Sequence, residues 1–254
     1  MSENSTPADQ KKITKETTHL IFLPGLHGTD DLYDHLLEHL ESEVSFQRTL
    51  INYPDDINQS YGKLTAWLSA HLFLDEINPT SVHHKTVIIA ESFSTVIALQ
   101  LAEKFPEKID GVIISGGFCS SPVPTIFSYI PLRPFFFIKP PLTIIRRYLT
   151  GSTCPLDLVK DVRSVMKKVS TKRITQRLRS IFALEEESVP SISSTPIMLL
   201  QAEHDEVISW EKQNQLEQHL PHAEAHWLDA PHLIFQVQPS DSATLILEFL
   251  EKIK

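Results

Sequence analysis

Four short, almost uninterrupted apolar runs are the clearest feature of the hydrophobic pattern, and each has the length of a β-strand. They lack the alternation of polar and apolar positions that marks a strand with one face in solvent. Such runs are typical of parallel strands that are buried on both faces. With two weaker segments, six strands are predicted, at His19–Leu23, Phe46–Asn52, Thr86–Ala90, Val112–Ser115, Ile197–Gln201 and Glu224–Leu228.

Amphipathic helices are predicted between these strands, because apolar residues recur there every three or four positions. Thr29 is expected to cap the first helix, and Pro106 is expected to end the third. Strands that alternate with helices predict right-handed crossovers and a doubly wound, mostly parallel α/β sheet. The predicted helices are Asp30–Glu41, Tyr61–Ile77, Phe93–Phe105, Ser209–Leu220 and Ser240–Ile253.

Residues 118–187 interrupt the alternation of strands and helices. The segment begins rich in proline and aromatic residues, then becomes basic and helical, with an apolar stripe along Asp157–Val169. It contains no buried-strand pattern, so we interpret it as a helical cap inserted into a core formed by residues 18–117 and 188–254. The polar residues 1–17 are predicted to be a flexible lead-in.

The charge is divided unevenly along the chain. The formal net charge of -9 argues against a general nucleic-acid binder. Residues 118–184, however, carry 12 Lys and Arg against 2 Asp and Glu, a charge of +10, and the remainder carries -19. The simplest interpretation is a solvated face of the cap helices. The alternatives are steering of anionic substrates and a weak contact of the basic cap with a membrane surface.

The chain has two cysteines, Cys119 and Cys154, which form neither a disulfide framework nor a metal-binding motif. No apolar leader segment is visible, and no apolar run is long enough to span a membrane. The cytoplasm is therefore the expected compartment. The oligomeric state stays open.

The junction Ala90-Glu91-Ser92-Phe93-Ser94 gives the strongest indication of chemistry. A buried strand runs there directly into a helix, and the pattern small-x-Ser-x-small is typical of a nucleophile elbow. The tight turn strains the serine backbone, so Ala90 and Ser94 must be small. The following N–H, of Phe93, is then available at a helix start to stabilise an oxyanion. The alternative is that Ser92 merely caps the helix.

Two further segments supply candidate partners for Ser92 at strand ends. Asp205 follows the fifth strand and is the candidate acid, with Glu203 and Glu206 as neighbouring alternatives. His232 follows the sixth strand and is the candidate base. Other nearby histidines lie before, within or between elements, where structural roles are expected: His204, His219, His222 and His226. The order Ser, Asp, His is that of one large class of serine hydrolases.

The loop after the first strand completes the candidate site. Pro24-Gly25 precedes Leu26, whose backbone N–H is the candidate second oxyanion donor. The loop matches neither the GK[ST] ending nor the GxGxxG spacing of phosphate-binding loops.

Together these motifs resemble the α/β-hydrolase superfamily. LPGLHGTDDLY at Leu23–Tyr33 and AESFS at Ala90–Ser94 are similar to a group of small bacterial esterase-like hydrolases with an LPGxDGT loop. His27 stands where that group usually has aspartate, and Thr95 where glycine is usual. The resemblance implies no metal and no organic cofactor. It implies that Ser92 is the nucleophile, Asp205 the acid and His232 the base. It also implies that the oxyanion N–H donors are Leu26 and Phe93.

The predicted function is hydrolysis of a carboxylic ester or thioester through an acyl-enzyme. The expected partner is a small-molecule ester with an apolar acyl group, held by aromatic residues of the cap. An acyltransferase with the same three residues and a non-catalytic binding protein of the same fold are the alternatives. The expected lining residues are Phe127, Tyr129, Phe135, Phe136 and Phe137.

Overall fold

The computed structural model describes residues 18–73, 85–123 and 141–253, and within them a single six-stranded sheet forms the centre. All neighbouring strands are parallel, in the order β2-β1-β3-β4-β5-β6. The predicted fold class and all six predicted strands are confirmed, with strand ends within two residues of the predicted ones. The strands are β1 Thr18–Leu23, β2 Gln47–Leu50, β3 Lys85–Glu91, β4 Gly111–Ser115, β5 Ile197–Ala202 and β6 Glu224–Leu228.

Seven helices of ten or more residues accompany the sheet within the described ranges. They are α1 Asp34–Glu43, α2 Tyr61–Phe73, α3 Thr95–Lys104, α4 Leu156–Lys168, α5 Thr171–Phe182, α6 Trp210–His219 and α7 Pro239–Lys252. Shorter helical segments span Ser92–Ser94, Leu142–Ile145, Arg146–Thr150, Glu186–Ser188 and Ile234–Val237. The predicted continuation of α2 to Ile77 lies outside the described residues.

Helices cover both faces of the sheet, which explains why the strands read as continuous apolar runs. Alternate side chains of a strand point to opposite faces. Ile88 of β3 packs into the core shared with α2, α3 and α6, while its neighbour Ile89 packs into the core shared with α1 and α7. Both side chains are completely buried.

The first helix begins four residues later than predicted, so the proposed Thr29 cap is wrong. Thr29 Oγ1 instead donates a hydrogen bond to Asp31 Oδ2 at 2.7 Å, within the turn that precedes α1. Tyr33 fixes the helix start, because its hydroxyl donates to the Leu23 carbonyl oxygen at 2.7 Å. The turn therefore keeps the loop after β1 close to the end of that strand.

Helices α4 and α5 lie in the segment between β4 and β5, which we call the inserted segment (residues 118–187). An apolar cluster that includes Ile145, Val159 and Val162 packs this segment onto Leu32 and Leu233 of the core. The predicted aromatic lining residues between Phe127 and Phe137 lie outside the described residues. No helix in the described ranges has the length and apolar character needed to cross a bilayer, and the contact of the basic cap with a membrane surface stays a prediction.

Candidate active site

Ser92 lies at a strained turn between β3 and the helix that follows it. Its φ angle is +49°, and no other non-glycine residue of the described ranges has a positive φ. The left-handed region disfavours side chains with a Cβ atom, so this conformation costs energy, and such strained residues are typical of functional sites. Ala90 and Ser94, two residues to either side, are completely buried. The turn that the small-x-Ser-x-small pattern indicates is therefore present.

Ser94 does more in this turn than supply a small side chain. Its hydroxyl donates to the Pro24 carbonyl oxygen and accepts from the Tyr53 hydroxyl. Because Ser94 belongs to the elbow and Pro24 to the loop after β1, this pair of bonds ties the two loops together. A glycine at position 94 would fit the turn but lack the tie.

Ser92, His232 and Asp205 form one chain of hydrogen bonds. Ser92 Oγ lies 3.0 Å from His232 Nε2, and His232 Nδ1 lies 2.7 Å from Asp205 Oδ2. The carboxylate accepts, so Nδ1 carries the hydrogen and Nε2 offers its lone pair to the serine hydroxyl. All three residues come from the carboxyl ends of strands, which parallel pairing brings to one edge of the sheet.

The loop around Asp205 selects it over the two neighbouring glutamates. Its side chain is fully buried, and its Oδ1 atom accepts hydrogen bonds from the Val207 and Ile208 N–H groups at 2.7 and 2.8 Å. Glu203 and Glu206 are exposed, and Glu206 forms an ion pair with Arg147 at 3.1 Å. The backbone therefore holds one oxygen of Asp205 and leaves the other for His232.

The electrostatic surroundings of His232 favour its protonated form. Burial lowers the pKa of this imidazole, but the charge and the hydrogen bond of Asp205, together with the charge of Glu91, outweigh it and raise the pKa above 6.5. An imidazole with a raised pKa is a stronger base towards a hydroxyl proton. The Asp205 carboxylate also stabilises the imidazolium that forms when His232 has accepted the proton.

Residues 24–28, which we call the oxyanion loop after the role predicted for the Leu26 N–H, form a tight turn beside Ser92. The Gly28 N–H donates to the Gly25 carbonyl oxygen at 3.0 Å, and the Gly28 carbonyl oxygen accepts from the Tyr53 N–H at 2.9 Å. For Leu26 N–H the described residues provide no hydrogen-bond acceptor, and Leu26 lines the same cavity as Ser92. The Phe93 N–H lies in the first helical turn, where backbone donors lack a partner within the helix.

A cavity of about 340 Å³ opens beside Ser92 and His232. Its volume lies at the small end of the range for small-molecule sites. Most of its wall is apolar and comes from the inserted segment: Phe118, Pro122, Val123, Leu149, Val162, Met166, Ile174, Leu178, Ile181 and Phe182. The inserted segment therefore forms much of the candidate substrate site.

The sequence analysis assigned no functional role to three polar residues at this site. Glu91, 2% exposed, lines the cavity and accepts a hydrogen bond from Gln236 Nε2 at 2.9 Å. His27 is buried, and burial lowers its pKa. Arg177 of α5 is 1% exposed and contacts the oxyanion loop. The signal for Arg177 lies in its spacing, because it falls on the same helix stripe as Ile174 and Ile181.

Comparison with known families identifies the family of the chain. Residues 68–235, about two thirds of the chain, match the family described as serine aminopeptidase, S33. The chain belongs to this family of α/β hydrolases, and it is a hydrolase of the serine type. None of the curated protein sequences matches the chain significantly.

Solved structures share the fold at low sequence identity. An esterase from Exiguobacterium antarcticum superposes with a TM-score of 0.76 at 12% identity, over 93% of both chains. An enol-lactonase from Burkholderia xenovorans gives 0.73 at 12% identity, over 94% of this chain and 93% of its own. A thermophilic esterase from Thermogutta terrifontis gives 0.69 at 16% identity, over 92% and 90%. These similarities establish the α/β-hydrolase fold.

Proposed function

We propose that the protein hydrolyses carboxylic esters of small molecules through an acyl-enzyme on Ser92. The observation that carries the proposal is the hydrogen-bond chain from Ser92 Oγ through His232 to Asp205, at 3.0 and 2.7 Å. A serine with a base, and a base with an orienting carboxylate, is the arrangement that acyl transfer requires. The strained backbone at Ser92 supports it.

In the acylation step, Ser92 Oγ attacks the carbonyl carbon of the ester and its proton moves to His232 Nε2. The carbonyl oxygen becomes an oxyanion that accepts hydrogen bonds from the Leu26 and Phe93 N–H groups. When the intermediate collapses, the bond to the alcohol oxygen breaks and the alcohol takes the proton from His232. A water molecule then attacks the acyl-enzyme with His232 as base, which releases the acid and restores the serine hydroxyl.

The cavity supports an apolar acyl group as the part of the substrate that the inserted segment holds. Its wall beyond Ser92 and His232 consists mostly of Leu, Ile, Val, Phe and Met side chains. Burying a methylene group there contributes about 0.8 kcal/mol, so affinity should rise with chain length until the cavity is full. Thioesters present the same carbonyl to Ser92 and belong to the same proposal.

Glu91 favours a second candidate function, cleavage of an amide behind a free amino group. Glu91 precedes Ser92 and lines the same cavity, and no Lys or Arg of the described residues forms an ion pair with its carboxylate. A buried carboxylate near the nucleophile can bind the ammonium group of a substrate. The name of the matched family, serine aminopeptidase, points in the same direction.

A substrate panel separates these candidates. We expect p-nitrophenyl butyrate and octanoate to be hydrolysed faster than the acetate and the palmitate, because the cavity is apolar and of limited volume. Alanine p-nitroanilide tests for cleavage of an amide behind a free amino group. The variant Glu91→Gln tests whether that cleavage depends on the Glu91 carboxylate. Ester turnover that survives in this variant supports the esterase. Turnover of the anilide alone, with loss in the variant, would replace the esterase by the aminopeptidase, and no turnover of any panel member would contradict both.

The pH dependence of kcat/KM should reflect His232. The base works only in its neutral form, so activity is lost as the pH falls through its raised pKa. We therefore expect the midpoint of the acidic limb above pH 6.5. Glu91→Gln removes one of the charges that raise this pKa and should move the midpoint to lower pH. A midpoint below 6.5 in the unchanged protein would show that Asp205 does not govern the base as proposed.

A further inference from the structure

Arg177 is a buried arginine whose hydrogen bonds all go to uncharged oxygen atoms. Its Nη1 atom donates to the carbonyl oxygens of Leu26 and His27 at 2.8 and 2.7 Å. Its Nε and Nη2 atoms donate to Gln59 Oε1 at 3.1 and 2.7 Å. Burial lowers the pKa of this guanidinium to about 10, so it stays charged at neutral pH. The energetic cost of burying a charge makes a purely space-filling role a poor explanation.

Apart from the two hydrogen bonds to Arg177, the oxyanion loop is held in place at its two ends. The core fixes its ends: Ser94 Oγ donates to the Pro24 carbonyl, and the Tyr53 N–H donates to the Gly28 carbonyl. The carbonyls of Leu26 and His27 lie in the middle of the turn and accept from Arg177 alone among the described contacts. The two peptide groups that follow Leu26 Cα and His27 Cα are thus oriented by a residue of α5. The peptide group that carries the Leu26 N–H adjoins them, and its Gly25 carbonyl accepts from the Gly28 N–H within the same turn.

Gly28 makes room for this contact. Its φ angle is +76°, and a Cβ atom at this position would lie 2.2 Å from Arg177 Nη1. Gln59 is completely buried and is itself fixed, because its Nε2 atom donates to the Pro54 and Ile57 carbonyls at 2.8 and 3.0 Å. The guanidinium therefore sits in a socket of defined shape, formed by the loop on one side and Gln59 on the other.

We propose that Arg177 is a positioning residue of the oxyanion hole, through which helix α5 of the inserted segment sets the orientation of the Leu26 N–H. This inference rests on the proposed function and extends it, because the segment that lines the substrate cavity also controls the electrostatic stabilisation of the transition state. Ile174 and Leu178 of the same helix line the cavity. A substrate that contacts these two side chains therefore contacts the helix that carries Arg177.

The guanidinium shape matters as much as the charge. Its planar fork reaches two backbone carbonyls and Gln59 Oε1 together, whereas a lysine ammonium is a single point of donation. Arg177→Lys should therefore keep the fold and lose part of the orientation. Arg177→Ala should lose all of it and leave two buried carbonyls without a donor.

The test measures kcat and KM on the best ester of the panel for Arg177→Ala, Arg177→Lys and the control Arg179→Ala, an exposed arginine of the same helix. Loss of one whole oxyanion donor lowers kcat about 100- to 1,000-fold. A donor that is present but poorly oriented should cost less, so we expect about a 10- to 100-fold drop in kcat for Arg177→Ala. KM should change little, the lysine variant should be intermediate, and Arg179→Ala should match the unchanged protein.

Two further measurements separate positioning from a general loss of structure. Affinity for a trifluoromethyl ketone, which forms a tetrahedral oxyanion on Ser92, should fall in parallel with kcat. Affinity for an amide with the same acyl group, which forms no such adduct, should not fall. Guanidinium ions below the unfolding concentration should restore part of the activity of Arg177→Ala. If the alanine variant does not fold, the lysine variant carries the comparison through its kcat and its ketone affinity.

The outcomes distinguish this inference from the proposed function. Folded Arg177 variants with the kcat of Arg179→Ala, or a loss that lies entirely in KM, would overturn the positioning role and leave the esterase intact. An unchanged protein that hydrolyses no ester and forms no adduct with the ketone would overturn both.

Discussion

Replacing Ser92 with alanine is expected to lower kcat about a million-fold, to the level left by binding and the oxyanion hole alone. Without Oγ, no acyl-enzyme forms and His232 Nε2 has no hydroxyl to activate. The same variant should lose all covalent labelling by a fluorophosphonate probe, which intact-mass spectrometry measures directly. The fold should survive, because alanine removes one hydroxyl from a residue that is almost completely buried.

Ser115→Ala is the matched control for this loss. Ser115 ends β4 and pairs in register with Glu91, immediately next to Ser92. It is completely buried, and its Oγ atom has no hydrogen-bond partner among the described residues. Its replacement should leave labelling and kcat unchanged. Labelling that persists in Ser92→Ala would place the nucleophile elsewhere and end the proposal.

Replacing His232 with alanine is the second change with a large expected effect. The loss in kcat should again be about a million-fold, because the serine and its base act as a unit. Combining the two substitutions should therefore cost scarcely more than either alone. A double-mutant cycle on kcat/KM measures this non-additivity. Additive losses would show that the two residues act in separate steps.

His226→Ala tests whether the right histidine has been identified. His226 lies within β6, and its Nε2 atom is 2.9 Å from Glu224 Oε1, so its partner is a carboxylate away from Ser92. We expect activity close to that of the unchanged protein. An inactive His226→Ala beside an active His232→Ala would reverse the assignment.

The strands could be predicted from the sequence because a strand buried on both faces appears as a nearly continuous apolar run. The buried positions of β3 and β5 are all apolar except Glu91 and Gln201, and the strand ends were found within a residue. The convergence of Ser92, Asp205 and His232 follows from the same logic, since parallel strands end at one edge of the sheet. These inferences needed only local patterns and topology.

The features that sequence analysis missed depend on contacts between distant segments. The late start of α1 is set by the bond from Tyr33 to Leu23, which an amphipathic pattern cannot show. Arg177 belongs to a basic segment, and its charge suggested a solvated face. The structure instead buries its guanidinium against Gln59, a residue more than 100 positions away along the chain. Tertiary contacts of this kind override local propensity.

The backbone angle of Ser92 has a consequence for how this protein balances durability against reactivity. A side chain held in the left-handed region costs about 1 to 2 kcal/mol relative to an ordinary conformation, and marginal folds possess only several times that amount. The free energy of unfolding is thus lower than the buried apolar surface alone would give. The difference is the strain energy of the Ser92 backbone, which holds the hydroxyl towards His232 Nε2. Among the described residues, the proposed nucleophile is thus the one non-glycine residue with a positive φ angle.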